Sequence, residues 1–77
     1  MNTERRKIIN AQLEKLQDVQ CSIESIQSEE QEYYDTMLEN FQNSEKGEAA
    51  SAAAEALQNA VDQLSEAMNS LEESISQ

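Results

Sequence analysis

The feature that most constrains this chain is a strict heptad repeat of apolar side chains in its second half. The repeat advances by alternating steps of four and three residues through Ala50, Ala54, Leu57, Val61, Leu64, Met68, Leu71 and Ile75. These steps place all of the side chains on one stripe of an α-helix and favour left-handed, coiled-coil packing against a neighbour. A row of small residues lies beside this stripe, at Ala53, Ala60, Ala67 and Ser74. Their size leaves room for the backbone of another helix to approach closely.

The first half of the chain carries a broader apolar stripe. One heptad position holds Ile9, Leu16, Ile23 and Met37, with Glu30 as its polar exception. A second position holds Val19, Ile26 and Tyr33, and the face is widened by Leu13, Tyr34 and Phe41. An arc of this width is typical of a helix inside a bundle rather than of a two-stranded seam.

Composition excludes most other folds. The 77 residues include no Pro, one Gly and three aromatic residues. The chain is therefore poor in the residue types that β-sheets and their turns usually contain. One Cys and no His leave neither a disulfide framework nor a zinc site. The sequence therefore predicts an all-α fold.

The joint between the two periodic segments predicts a hairpin. Thr36 and Glu39 have the spacing of a capping box, and Ser44 is a candidate helix N-cap. We expect a first helix at about 3–35, a joint at about 36–43 that contains a short turn of helix near 37–42, and a second helix at about 44–76. Together they form a single antiparallel hairpin that spans 1–77. Each arm would be about 50 Å long at 1.5 Å per residue. One helix running unbroken to Gln42 is the alternative.

Charge and size together predict association. Residues 1–15 have a net charge of +2 and residues 16–77 a net charge of -13, so a hairpin would bring the basic start of the chain beside its acidic end. A chain this short buries little apolar surface by itself. We therefore predict a twofold dimer in which two hairpins form a coiled-coil-like four-helix bundle.

No catalytic, cofactor or metal site is predicted. Glu32, Asp35 and Glu39 share one helix face, but a solvated acidic surface explains them. Cys21 has no basic neighbour one helical turn away that would activate its thiol. There is no phosphate-binding loop or nucleophile elbow, so an enzyme is the class with least support.

The candidate partner-binding residues cluster around the joint: Glu29, Glu30, Tyr33, Tyr34 and Phe41. Glu30 interrupts the apolar stripe, either by reaching the bundle edge or by making a polar contact across the dimer that fixes the register. The two tyrosines are packing residues in one interpretation and interaction hot spots in the other.

Location and partners follow from charge and hydropathy. No apolar run reaches the ~20 residues of a membrane span, and the basic start is not followed by the apolar core of a signal peptide. We expect a cytoplasmic protein that binds neither membranes nor, with a net charge of -11, nucleic acid directly.

The joint resembles a group of small acidic helical proteins of bacteria and their phages. The residues that carry the resemblance are Glu29–Asp35, Glu39–Gln42, Ser44–Glu45 and Gly47–Glu48. In the group this segment reads EEQEYYDN-x-PEN-L-Q-x-SE-x-x-E, whereas here Thr36, Leu38 and Phe41 replace the Asn, Pro and Leu. The resemblance implies a bacterial or phage origin and makes Asp35 and Ser44 helix caps. It implies no mechanism.

Three functions are compatible with these patterns. The first is a homodimeric, non-catalytic protein that acts through protein–protein interaction. The second is an inhibitor of the anti-defence type that mimics nucleic acid with its acidic surface. The third is a helical subunit whose apolar stripe completes the bundle of a different protein.

Overall fold

The chain forms an extended helical hairpin in a computed structural model that describes residues 1–77. Helix α1 spans Thr3–Asp35, the short helix α2 spans Glu39–Gln42, and helix α3 spans Glu45–Ile75. Helices account for 88% of the residues and there are no strands. Helices α1 and α3 lie side by side in a rod of 58 × 15 × 13 Å. The predicted all-α hairpin is confirmed.

Side-chain caps define where the long helices begin. The side chain of Asn2 accepts a hydrogen bond from the backbone N–H of Arg5 at 2.8 Å. Ser44 does the same for Gly47 at 3.3 Å, so the predicted N-cap of the second long helix is confirmed. These contacts satisfy backbone donors that the first helical turn leaves without intrahelical partners.

The capping box predicted at the joint is wrong. Thr36 ends α1 as its C-cap, and its hydroxyl donates to the carbonyl of Tyr33 at 3.2 Å. Helix α2 begins after Leu38, which has no side chain able to cap it. Asp35, which the resemblance implied to be a cap, is the last residue of α1 and accepts a hydrogen bond from Gln31. The chain thus leaves α1 through a backbone turn, without a new N-cap at Thr36.

The apolar stripe of α3 packs against α1 as its heptad spacing predicts. Four of its members are buried, namely Ala50, Ala54, Val61 and Met68. The other four are half-buried, namely Leu57, Leu64, Leu71 and Ile75. The core of the hairpin is therefore one narrow seam, with small residues near the bend and larger ones toward the chain ends.

On α1, only part of the predicted apolar arc faces α3, and the second heptad position lies outside the contact. Val19, Ile26 and Tyr33 remain exposed to 48%, 52% and 44%. The side chains that α1 turns toward α3 are buried or half-buried, namely Ile9, Leu13, Leu16, Gln20, Ile23, Gln27, Glu30 and Tyr34. One helix can cover only a narrow strip of α1, and the covered strip includes Gln20 and Gln27 in place of the second apolar position.

Gln20 is the only buried residue of α1, and the hydrogen bonds of its amide explain why a polar side chain lies there. Its Nε2 donates to the carbonyl of Val61 at 3.0 Å and to the Ser65 hydroxyl at 2.6 Å. Near the chain ends, the guanidinium of Arg6 donates to the main-chain oxygen of Gln77 at 3.1 Å. These contacts set the antiparallel register of the two long helices.

None of the helices combines the length and the apolar character that crossing a lipid bilayer requires.

Candidate protein-interaction site

An unpartnered apolar stripe runs along α1 beside the seam. This outer stripe consists of Ile8, Val19, Ile26 and Tyr33, each 44–53% exposed. Every member comes directly before a seam residue in the chain, as Val19 comes before Gln20. One residue corresponds to about 100° around a helix with 3.6 residues per turn. The outer stripe therefore faces about a quarter of a turn away from α3, the direction in which a helix of a four-helix bundle meets its second neighbour.

Helix α3 presents small side chains in the same direction. This alanine row consists of Ala53, Ala60, Ala67 and Ser74, each of which comes directly before a seam residue of α3. Both helices are right-handed and they run in opposite directions, so a backward step of one residue turns both rows to the same side of the hairpin. The outer stripe and the alanine row together form one open face of the hairpin.

The bend is held by a close approach between α2 and the start of α3. Gly47 is buried, and a Cβ atom placed on it would lie 2.6 Å from the carbonyl carbon of Gln42 and closer still to the carbonyl oxygens of Phe41 and Gln42. The side chain of Gln42 also donates to the carbonyl of Tyr34 at 3.0 Å. The sole glycine of the chain is therefore required by the path of the backbone at the bend.

This bend shapes a pocket of about 340 Å³ at the end of the open face. Its lining residues are Tyr33, Met37, Phe41, Ser44 and Lys46. The Lys46 ammonium lies 6.0 Å from the centre of the Tyr33 ring, at the outer limit of a cation–π contact. Exposed aromatic rings beside a single cation give the pocket an apolar floor with one charged edge.

The structure separates the five candidate partner-binding residues into two groups. Tyr33 and Phe41 line the same pocket, and Phe41 is 55% exposed. Glu30 and Tyr34 are half-buried and face α3 from the seam, while Glu29 is exposed beside the outer stripe. Their role in binding a partner stays a prediction, but only Tyr33 and Phe41 share one concave surface.

The pocket includes residues that were not among the predicted partner-binding residues, namely Met37, Ser44 and Lys46. The signal available for Lys46 was its isolation as the only base after residue 15. Gln20 has the heptad spacing of Leu13 and Tyr34, which places it at the edge of the apolar arc. Nothing in a linear sequence, however, shows that its amide will meet the Ser65 hydroxyl across the hairpin.

The remaining surface is acidic and carries no evident chemistry. Fifteen of the sixteen Asp and Glu residues are exposed, Glu30 being the exception. No group of three or more Cys, Asp or Glu side chains is arranged to hold a metal ion. The exposed thiol of Cys21 accepts a hydrogen bond from the Gln17 amide at 3.8 Å. The features that remain are an apolar face, a pocket and negative charge, which can serve molecular recognition.

Neither protein-family models, nor curated proteins, nor solved structures give a match to this chain.

Proposed function

We propose that this chain is a non-catalytic protein-interaction module that works as a homodimer, with the open faces of two hairpins buried against each other in a four-helix bundle. The acidic surface and the part of the bend beyond the outer stripe, where Phe41 is exposed, would then be available to a further protein partner. In this proposal the module acts in the cytoplasm and has a bacterial or phage origin, as the resemblance of the joint implies.

The observation that carries the proposal is the unusual division of side chains on α1. The hairpin buries the amide of Gln20 but leaves about half of the surface of Val19 and Ile26 exposed to solvent. Only six of the 77 residues are buried in a single copy, which is a thin core for a chain of this length. Covering the open face with a second copy would bury Val19 and Ile26 and enlarge the core, without any change in the hairpin.

Ile26 shows how much binding free energy one apolar side chain contributes when a second copy covers it. Complete burial of such a side chain is worth about 1.5–3 kcal/mol, so covering the half that is exposed contributes about 1 kcal/mol. A twofold interface contains the residue twice, which makes about 2 kcal/mol per dimer. Ile26→Asp removes this term and adds a buried charge, so the dimer dissociation constant should rise by at least about 30-fold.

Light scattering behind size exclusion, with reductant and over a hundredfold range of concentration, tests the proposal. The unmodified chain should remain a dimer while Ile26→Asp dissociates. Ser28→Asp is the matched control, because Ser28 is exposed on the side of α1 away from both α3 and the open face and the change adds the same charge. A monomeric, well-folded chain at high micromolar concentration contradicts the proposal. A monomer that is poorly folded at every concentration, or that aggregates, favours a subunit that completes the bundle of a different protein.

A second candidate is supported by the distribution of charge. The exposed acids line a rod 58 Å long, which has the length and sign of charge to occupy a basic groove that normally binds nucleic acid. Such an inhibitor should displace duplex DNA from a DNA-binding protein in a salt-sensitive manner. Replacing Glu24, Glu55 and Asp62 with Gln should weaken the displacement while the dimer persists. Displacement that is indifferent to salt and to these replacements excludes the mimic.

A further inference from the structure

The two ends of the hairpin differ in charge. The bend pole, residues 28–50, holds seven acids against one base, for a net charge of -6. The terminal pole, residues 1–15 together with 66–77, holds five acids against four bases, for a net charge of -1. Like charges brought together raise the energy of an assembly, so the arrangement of two rods is sensitive to this difference.

The charged residues of the open face are divided in the same way between its two ends. Arg5 and Lys15 have the heptad spacing of the outer stripe and lie in the first half of α1, whereas Glu29 has that spacing in the second half. All three side chains are exposed. If α1 of a second copy lay antiparallel on this stripe, the basic residues of each copy would lie beside the acidic residue of the other. The two copies of this surface would therefore be complementary in charge.

We propose that two copies of this chain pack open face to open face with their bends at opposite ends, so that α1 lies antiparallel to α1 of the partner subunit. The inference rests on the proposed homodimer and adds its topology. The competing arrangement places both bends at the same end and sets α1 against the partner's α3. It would also bring the two bend poles together, each with a charge of -6, whereas the proposed arrangement sets each bend pole beside a terminal pole.

Full overlap of the two rods sets the register. Along one arm the chain runs from residue 1 to the bend at about residue 42, so the twofold axis passes close to Cys21 and Ser22. Lys15 then lies beside Glu29 of the partner subunit, and the pair occurs twice. The alanine rows of the two α3 helices also face each other, and their small side chains permit that approach.

Distances between spin labels distinguish the two topologies. A label on the native Cys21, which is exposed, reports the dimer in either arrangement because this residue is near the middle of the rod. A label on Thr3→Cys in a Cys21→Ser background lies 18 residues away, or about 27 Å along the helix. The proposed topology therefore predicts a separation of about 54 Å between the Thr3 labels, whereas bends at the same end predict about 20 Å.

The outcomes separate this inference from the proposed homodimer. A long Thr3 distance with a short Cys21 distance supports the topology. A short distance at both positions overturns the topology and leaves the homodimer intact. A monomer in light scattering, with no dipolar signal from either label, overturns both.

Charge exchange provides a second readout. Lys15→Glu should weaken the dimer several-fold, and adding Glu29→Lys should restore the dissociation constant to within about twofold of the unmodified chain. The control pairs Lys15→Glu with Glu24→Lys, which has the same net charge but lies off the open face, and it should restore less. Equal recovery in the two double variants contradicts contact between these residues.

Discussion

The buried amide of Gln20 offers a sharp test of how the hairpin is held together. Truncation to Ala removes one buried methylene, worth about 0.8 kcal/mol. It also removes hydrogen bonds to Val61 and Ser65, each worth about 1 kcal/mol. Gln20→Ala should therefore lower the free energy of unfolding by about 2–3 kcal/mol.

Gln20→Leu should behave differently. Leucine fills most of the same space with apolar atoms, and the exposed Ser65 hydroxyl can turn to water once the amide is gone. Replacement of a buried polar contact by apolar packing is often close to neutral. Gln20→Leu is thus expected to stay within about 1 kcal/mol of the unmodified chain.

Urea unfolding followed by circular dichroism, at one fixed protein concentration, measures these differences. The control is Gln17→Ala, which truncates an exposed amide on the same helix and should change stability by less than about 0.5 kcal/mol. A double-mutant cycle between Gln20→Leu and Ser65→Ala should give a coupling of about 1 kcal/mol. If Gln20→Ala is as stable as Gln17→Ala, or if the coupling is absent, the Gln20 amide does not stabilise the hairpin.

The remaining predictions concern the bend and the core, and each is measured by the same urea titration. Gly47→Ala should destabilise by about 1–3 kcal/mol, because the added Cβ would overlap the backbone of Phe41 and Gln42. A gain of about 1 kcal/mol, as helix propensity alone predicts, would show that the approach is looser. Ser44→Ala should cost about 1 kcal/mol through loss of the N-cap, and Ser44→Asp should recover most of it; equal stability of all three residues would exclude the cap. Met68→Ala should cost 2–5 kcal/mol because the side chain is buried in the seam, and a cost below 1 kcal/mol would place it outside the core.

The helices themselves could be predicted from the sequence, because their evidence is local. The repeat from Ala50 to Ile75 specifies one narrow stripe, and the structure buries or half-buries all of it. The start of α3 was equally readable, since Ser44 is followed by acids in the first turn and caps the backbone as expected. Periodicity and capping need no knowledge of the partner helix.

The side of α1 that meets α3 could not be predicted in the same way. Ile9, Leu16 and Ile23 lie in the centre of a wide arc, so the seam can extend to either neighbouring heptad position. Counting apolar residues does not decide between them, because one position holds Val19, Ile26 and Tyr33 and the other holds Leu13, Tyr34 and Phe41. The structure selects the latter position, which also includes Gln20. The selection depends on a hydrogen bond across 41 residues of sequence, and local patterns contain no information about such a contact.

The structure of the bend was also only partly predictable from the sequence. The lone Gly47 was visible in the sequence, but its role depends on how closely α2 approaches α3. Thr36 had the spacing of an N-cap, yet its hydroxyl donates backward to the carbonyl of Tyr33. A Thr hydroxyl can serve either end of a helix, and the direction of the chain after the turn decides between them.

Isotope-filtered nuclear Overhauser spectroscopy on a mixture of labelled and unlabelled chain detects only contacts between copies. It therefore shows directly whether two hairpins meet through their open faces. We expect intermolecular signals from the side chains of Val19, Ile26 and Tyr33, and none from the seam residues Val61 and Met68, which are buried within one copy. Intermolecular signals from the seam, or a complete absence of signals from the outer stripe at high micromolar concentration, would contradict this expectation.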